Sequence, residues 1–183
     1  DASPYQAARA RRRVEAAGAA GARGIVHARG EDLEPDERFD VAACVGASWI
    51  WGGHAGTLAA LRRFAAPGGV FVVGEPYWRA EPPAAYLAAE GLRREELHDL
   101  EGCLDVALEQ GLELVWMAGS TDEEWDRYEL RQAAAMDAFA RAHPDDPELA
   151  ALRARRRAHD MAYVRWGRDC LGWALWAFRA PRA

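Results

Sequence analysis

Along the chain, apolar runs of strand length alternate with stretches of helical spacing. FDVAACVG (39–46) and VFVVGE (70–75) are almost continuous apolar blocks, the pattern of parallel strands buried on both faces. Between them His54 to Ala66 has helical spacing, with SWIWGGH as a loop before it and Pro67-Gly68-Gly69 as a turn after it. Near the start, Ser3 reads as an N-cap, Pro4 occupies the first helical position and Gln6 completes a capping box, so a helix runs to about Ala17 and stops at Gly18. The Gly-rich GAAGARG follows, then a short β-like run, GIVHA (Gly24–Ala28), and the acidic, turn-rich RGEDLEPDER. Helix, strand, helix and strand in succession with short connections predict an α/β fold with a parallel sheet.

The second half is more helical. After the loop PYWRAEPP, a helical stretch from Ala84 to about Gln110 is interrupted near Gly91, and Leu112–Ala118 reads as a strand. Ser120 or Thr121 caps the next helix, whose first turn is acidic, where the helix dipole favours carboxylates. That helical pattern reaches Ala142, breaks at HPDDP and resumes to about Asp169, before the aromatic-rich closing strand LGWALWAFRA. The sequence contains neither an internal repeat nor a low-complexity linker.

Composition narrows the setting more than the chemistry. The chain has 183 residues, enough for one domain with a sizeable core. Its basic residues are all Arg; Lys and Asn are absent, and Ala is the most frequent residue, as in a protein from a GC-rich bacterial genome. A net charge of -6 argues against a nucleic-acid partner, which needs clustered positive charge. Cys44, Cys103 and Cys170 form neither a disulfide framework nor a zinc pattern and suit a reducing cytoplasm. No apolar run approaches the roughly 20 residues of a membrane span. His98 and Cys103 find no further metal ligands, and Ser48 lacks the G-x-S-x-G of a nucleophile elbow.

An acid placed just before a helix, where a strand should end, has a use in doubly wound sheets: its carboxylate accepts hydrogen bonds from ribose hydroxyls. Asp1 holds that place. Together, Asp1-Ala2-Ser3-Pro4, then Gly30-Glu31-Asp32, Phe39-Asp40 opening a strand, and Pro67-Gly68-Gly69 before the next, resemble the class I S-adenosylmethionine-dependent methyltransferases. The resemblance covers roughly Asp1 to Arg79 and the closing strand Leu171 to Arg179. It implies a Rossmann-like doubly wound sheet, mostly parallel with an antiparallel last strand, and S-adenosyl-L-methionine as cofactor. Residues 1–120 and 170–183 are then the core, and 121–169 a helical cap insertion. Asp1 is expected on the ribose, Gly30, Glu31 and Asp32 on the adenine, and Gly46, Ala47 and Ser48 near the sulfonium.

The family's first strand and glycine-rich loop have no counterpart, so the chain reads as an N-terminally truncated methyltransferase domain lacking its first two strands. In the family's strand order 3-2-1-4-5-7-6 their loss leaves a gap of roughly 14 Å, three strand spacings of about 4.8 Å. The 183-residue chain, expressed alone, is therefore expected to be aggregation-prone and not to bind the cofactor measurably.

Methyl transfer from a sulfonium needs mainly alignment, plus a base where the acceptor sheds a proton. Candidates at the carboxyl ends of the strands are His54 and Glu75. Aromatic residues crowd the same edge, and Trp49, Trp51 and Tyr77, with Trp125 and Tyr128 closing from the cap, are candidate contacts to a small-molecule acceptor. Trp173 and Trp176 are expected in the core. Two alternatives remain at this point: a nicotinamide-dependent Rossmann oxidoreductase, and a degenerate methyltransferase-like module that binds without catalysis.

Overall fold

The structure, a computed structural model, describes residues 1–18 and 24–180 and divides into two compact units, 1–38 and 39–183. Most of the Gly-rich GAAGARG segment lies outside the described residues.

In the first unit, helix α1 (Pro4–Ala16) begins as the sequence predicts, with Ser3 Oγ accepting from the Gln6 amide at 3.3 Å. The capping interaction satisfies one of the amides a helix start leaves without partners. GIVHA is not a strand, which corrects the expectation. It makes a single rung instead: the Asp1 nitrogen donates to Val26 O at 3.0 Å and the Ala28 amide donates to Asp1 O at 3.2 Å. That staggered pair of bonds is the hydrogen-bond pattern of a parallel ladder.

The second unit is built on a four-stranded sheet. Its strands are β1 (Phe39–Val45), β2 (Ala65–Trp78), β3 (Glu113–Gly119) and β4 (Leu171–Arg179), in the spatial order β1-β2-β4-β3. β1 and β2 pair in parallel, and β4 runs antiparallel to both of its neighbours. This is the 4-5-7-6 portion of the sheet order expected for the resembled family. Helix α2 (His54–Phe64) makes the crossover between the two parallel strands, and a 3-10 turn (Ser48–Trp51) precedes it. Gly56 allows the turn to lie on the helix, because a Cβ there would meet Trp51 O at 1.7 Å.

β2 is twice as long as its apolar block suggests. Pro67-Gly68-Gly69 lies inside it, at a register shift between the pairs Phe39↔Ala65 and Val41↔Val70, rather than forming a separate turn. Its carboxyl end runs on to Trp78 because β4 pairs with it to Leu171. The predicted Ala84–Gln110 stretch is two helices, α3 (Ala84–Glu90) and α4 (Leu100–Glu109), separated by an irregular loop with a short 3-10 turn at Arg94–Glu96. That loop is fixed by Trp78, whose amide donates to His98 O and whose Nε1 donates to Arg94 O, both at 2.9 Å.

Helices α5 (Asp122–Ala142) and α6 (Leu149–Ala162) follow β3; a π-helical turn (Tyr163–Gly167) and the short α7 (Arg168–Cys170) lead into β4. Thr121 caps α5 in a full capping box with Glu124. One face of the sheet packs its core against α2 and α4: Phe71, Val73, Trp176 and Phe178 meet Leu58, Leu61, Cys103 and Ala107. A smaller cluster joins Trp78, Tyr86, Ala162 and Cys170.

Candidate active site

Three polar side chains are buried together at the carboxyl ends of β1 and β2. Ser48 lies in the turn after β1, His54 opens α2, and Glu75 sits near the end of β2. Ser48 Oγ donates to Glu75 Oε2 at 2.6 Å. His54 Nε2 lies 3.1 Å from the carbonyl of Cys103, an acceptor only, so Nε2 carries the ring's proton. His54 Nδ1 faces Glu75 Oε1 from 3.6 Å, and neither atom has a hydrogen-bond partner.

A proton placed on either atom converts a repulsive contact into a charge-assisted or neutral hydrogen bond. The carboxylate also acts on its surroundings. Burial, with a further contribution from Glu75, pushes the Cys103 thiol up to about 12. The Cys44 thiol is likewise raised by burial, opposed by a backbone hydrogen bond from Ala47 and reinforced by Glu75. All three cysteines are buried and unpaired, which leaves them as packing residues.

Ser48, His54 and Glu75 line a cavity of about 610 Å³ together with Gly46, Trp49 and Trp173; the 92–98 loop forms its far wall. This volume falls in the usual range for small-molecule sites. Trp49 is 77% exposed at its mouth. Ala47 and Trp51 instead pack against the core, as does Tyr77.

Trp125 and Tyr128, on α5, line a second cavity of about 510 Å³ with Met136, Leu152, Arg156 and Trp173. Trp173 and Pro76 border both cavities. The indole of Trp173 stacks on Trp125 with ring centroids 5.8 Å apart, and Trp125 stacks on Tyr128 at 5.2 Å. Sequence reasoning placed Trp173 in the core with Trp176. The available signal was strand alternation: residues 173 and 176 point to opposite faces, so only one of them joins the core packed on α2 and α4.

Asp1, Gly30, Glu31 and Asp32 belong to the first unit. Asp1 Oδ1 accepts from the Ser3 amide at 2.8 Å, and the 29–33 segment turns through bonds from Asp32 N to Arg29 O and from Leu33 N to Gly30 O. Hydrogen bonds from its own backbone amide and from Arg29 hold the Glu31 carboxyl below the usual range. Among the described residues there is no group of three or more His, Cys, Asp or Glu side chains placed to hold a metal, and no helix long and apolar enough to cross a membrane.

A family profile described as a methyltransferase domain matches residues 1–73. YjhP of Escherichia coli K12, an uncharacterized protein, is 36% identical over 182 residues, covering 98% of this chain and 73% of its own. A SAM-dependent methyltransferase from Geobacter sulfurreducens, solved in complex with S-adenosyl-L-homocysteine, superposes with a TM-score of 0.90 at 33% identity, covering 99% of this chain and 74% of the other. A SAM-dependent methyltransferase from Thiobacillus denitrificans, in complex with the same compound, gives 0.88 at 35% identity, again over 99% and 74%.

Proposed function

This chain belongs to the class I S-adenosylmethionine-dependent methyltransferases, and from that premise we propose that it methylates a small-molecule acceptor, with Glu75 receiving the proton the acceptor sheds. The observation that carries this reading is the buried apposition of Glu75 Oε1 and His54 Nδ1, both unpartnered, in the wall of a cavity at the strand ends.

The residues fit a sulfonium-bearing cofactor. An unpaired carboxylate oxygen, itself buried in the cavity wall, favours a cation beside it, because Coulomb attraction strengthens as water is excluded. Gly46, Ala47 and Ser48, between β1 and α2, would border its reactive end. S-Adenosylmethionine, when bound, would supply an electrophilic methyl group for the acceptor.

The chain's own residues then have two tasks. Ser48 fixes the carboxylate through Oε2, leaving Oε1 to take the acceptor's proton. His54 steadies the protonated form, because its Nδ1 lone pair accepts from the new O–H. The Cys103 carbonyl keeps the ring in the tautomer this requires. Trp49 and Trp173 wall the cavity and limit water, which would otherwise compete for the carboxylate.

Glu75→Gln tests the proposal. The amide keeps the shape and can still meet Ser48, but it is not a base. Transfer of labelled methyl from S-adenosylmethionine into a small-molecule cell extract should fall about 10²- to 10⁴-fold, with S-adenosylhomocysteine affinity nearly unchanged. Transfer at the wild-type rate removes Glu75 from the mechanism, and label appearing only in macromolecules refutes the small-molecule acceptor.

A further inference from the structure

We propose that Trp125 is a positioning residue for methyl transfer: through Trp173 it holds in place the loop that follows β1. This rests on the methyltransferase reading above and deepens it.

Trp173 stands on β4, and its pair partner on β2 is Pro76. Its indole does not stay over β4. At Gly74, two residues back along β2, a Cβ would lie 3.0 Å from Trp173 Cζ2, and at Gly46, just past β1, a Cβ would lie 3.4 Å from Cη2. The ring therefore crosses the width of β2 to reach the end of β1. Glycine at 74 permits the crossing, since a side chain there would fill the space the indole uses. The two glycines are joined, the Gly46 amide donating to Gly74 O at 3.0 Å. Gly46 also holds a left-handed φ of 68°, a conformation that strains residues with a Cβ.

The loop begins at that contact. Ser48, two residues beyond Gly46, donates to Glu75 Oε2 at 2.6 Å. Gly46, Ser48 and Trp173 all line the cavity that Glu75 lines. A displaced indole would release Gly46, and with it the turn that carries Ser48.

What keeps the indole there is α5. Trp125 stacks on its face, with ring centroids 5.8 Å apart and planes 17° from parallel. The Ser120 amide, just before α5, donates to Trp173 O at 2.8 Å and fixes the backbone of the same residue. Arg168 bonds the Asp126 carboxylate at 3.1 Å, which ties the first turns of α5 to the segment leading into β4. Of the two cavities, Trp125 borders only the one beside α5, so its effect on the transfer site passes through Trp173. Alignment of an acceptor with a sulfonium is sensitive to misplacements of about 1 Å caused at a distance.

The test uses the full-length protein with Trp125→Ala and with Trp125→Phe, which keeps a flat ring against Trp173. Each is titrated calorimetrically with S-adenosylhomocysteine, whose stoichiometry counts folded sites. Each is also assayed for transfer of labelled methyl from S-adenosylmethionine into a small-molecule cell extract. Per binding site, Trp125→Ala should transfer about 10- to 100-fold more slowly at saturating S-adenosylmethionine, with S-adenosylhomocysteine affinity nearly unchanged. Trp125→Phe should recover most of that rate. A residue that only holds the fold would lower the number of sites and leave the rate per site alone. A second readout needs no turnover. Trp125 Nε1 is buried without a partner, so its N–H resonance, assigned by its loss in Trp125→Phe, reports the placement of the stack. That resonance should shift as S-adenosylhomocysteine is added.

A wild-type rate per site in Trp125→Ala, an equal loss in Trp125→Phe, or a resonance that ignores bound S-adenosylhomocysteine overturns the positioning role and leaves the methyltransferase reading in place. If S-adenosylhomocysteine does not bind the wild-type protein, the cofactor reading falls and the positioning role falls with it. If it binds but no small molecule is labelled, the small-molecule acceptor falls, and the resonance alone decides the role of Trp125.

Discussion

Gly74 leaves no space for a methyl group. A Cβ there would lie 2.7 Å from Val45 Cγ1 and 3.0 Å from both Leu175 Cδ2 and Trp173 Cζ2. The residue is thus a seat for the Trp173 indole, the ring on which α5 stacks and which both cavities share. A Gly74→Ala protein has to displace either the end of β1 or that indole. Overpacking of this kind costs about 1–3 kcal/mol. Thermal unfolding should report a loss in that range, and Trp fluorescence should change as Trp173 leaves the stack. An unaltered melting temperature would mean that the sheet relaxes around the methyl group at no cost.

Among the elements, three helices meet at one histidine. His159 on α6 places Nδ1 3.0 Å from Glu90 Oε2 on α3 and Nε2 2.9 Å from Glu129 Oε2 on α5; Arg156 and Asp160 flank it on its own helix. Burial works against the imidazolium, but hydrogen bonds to Glu129 and then Glu90 outweigh it, so the group is held above its ordinary 6.5. A histidine raised in the folded chain contributes stability that is fully present below the unfolded value and is lost as pH rises through the folded one. Packing of α5 and α6 should therefore loosen on going from about pH 6 to about pH 8, visible as smaller amide protection factors in both helices once the intrinsic rise of exchange with pH is divided out. His159→Gln should flatten that dependence, and protection that grows with pH would contradict it. Nothing local announces this junction, since Glu90, Glu129 and His159 are far apart in the chain. Where one element carries its own instruction, the sequence was sufficient: the Ser3 cap, the apolar block of β1 and the closing strand stand where the pattern puts them, the cap expected at Ser120 or Thr121 falls on Thr121, and the strand expected at Leu112–Ala118 lies one residue further on, at Glu113–Gly119. Where partners decide, it was not. β2 outgrows its apolar block because two neighbours pair with it, and GIVHA, rich in β formers, makes only one rung. Ser48 and His54 could be picked out because they lie between the end of β1 and the crossover helix, and Glu75 because it closes an apolar block; that β2 continues past it to Trp78 is decided by its pairing with β4.

For the molecule as a whole, the sheet of the second unit ends in two apolar edges. Among the described residues β1 pairs only with β2, and β3 only with β4. Val41 and Val45 on β1 are 55% exposed, and Trp116 on β3 is 54% exposed. Strand edges with unpaired amides and carbonyls recruit further strands, and exposed apolar side chains add a favourable burial term to that recruitment. The family's strand order sets further strands beyond the position of β1 but none beyond β3, so the two edges need not behave alike. Residues 1–183, prepared as an isolated polypeptide, should associate in a concentration-dependent way, seen as a rising weight-average mass in light scattering. A lysine on an edge opposes pairing because its charge must be desolvated in the joint sheet. Val41→Lys should lower the mass if β1 is the adhesive edge, and Val115→Lys should do so if β3 is. A wild-type polypeptide that stays monomeric as its concentration rises would show that neither edge is adhesive, and an unchanged mass in the double variant would place association elsewhere on the surface.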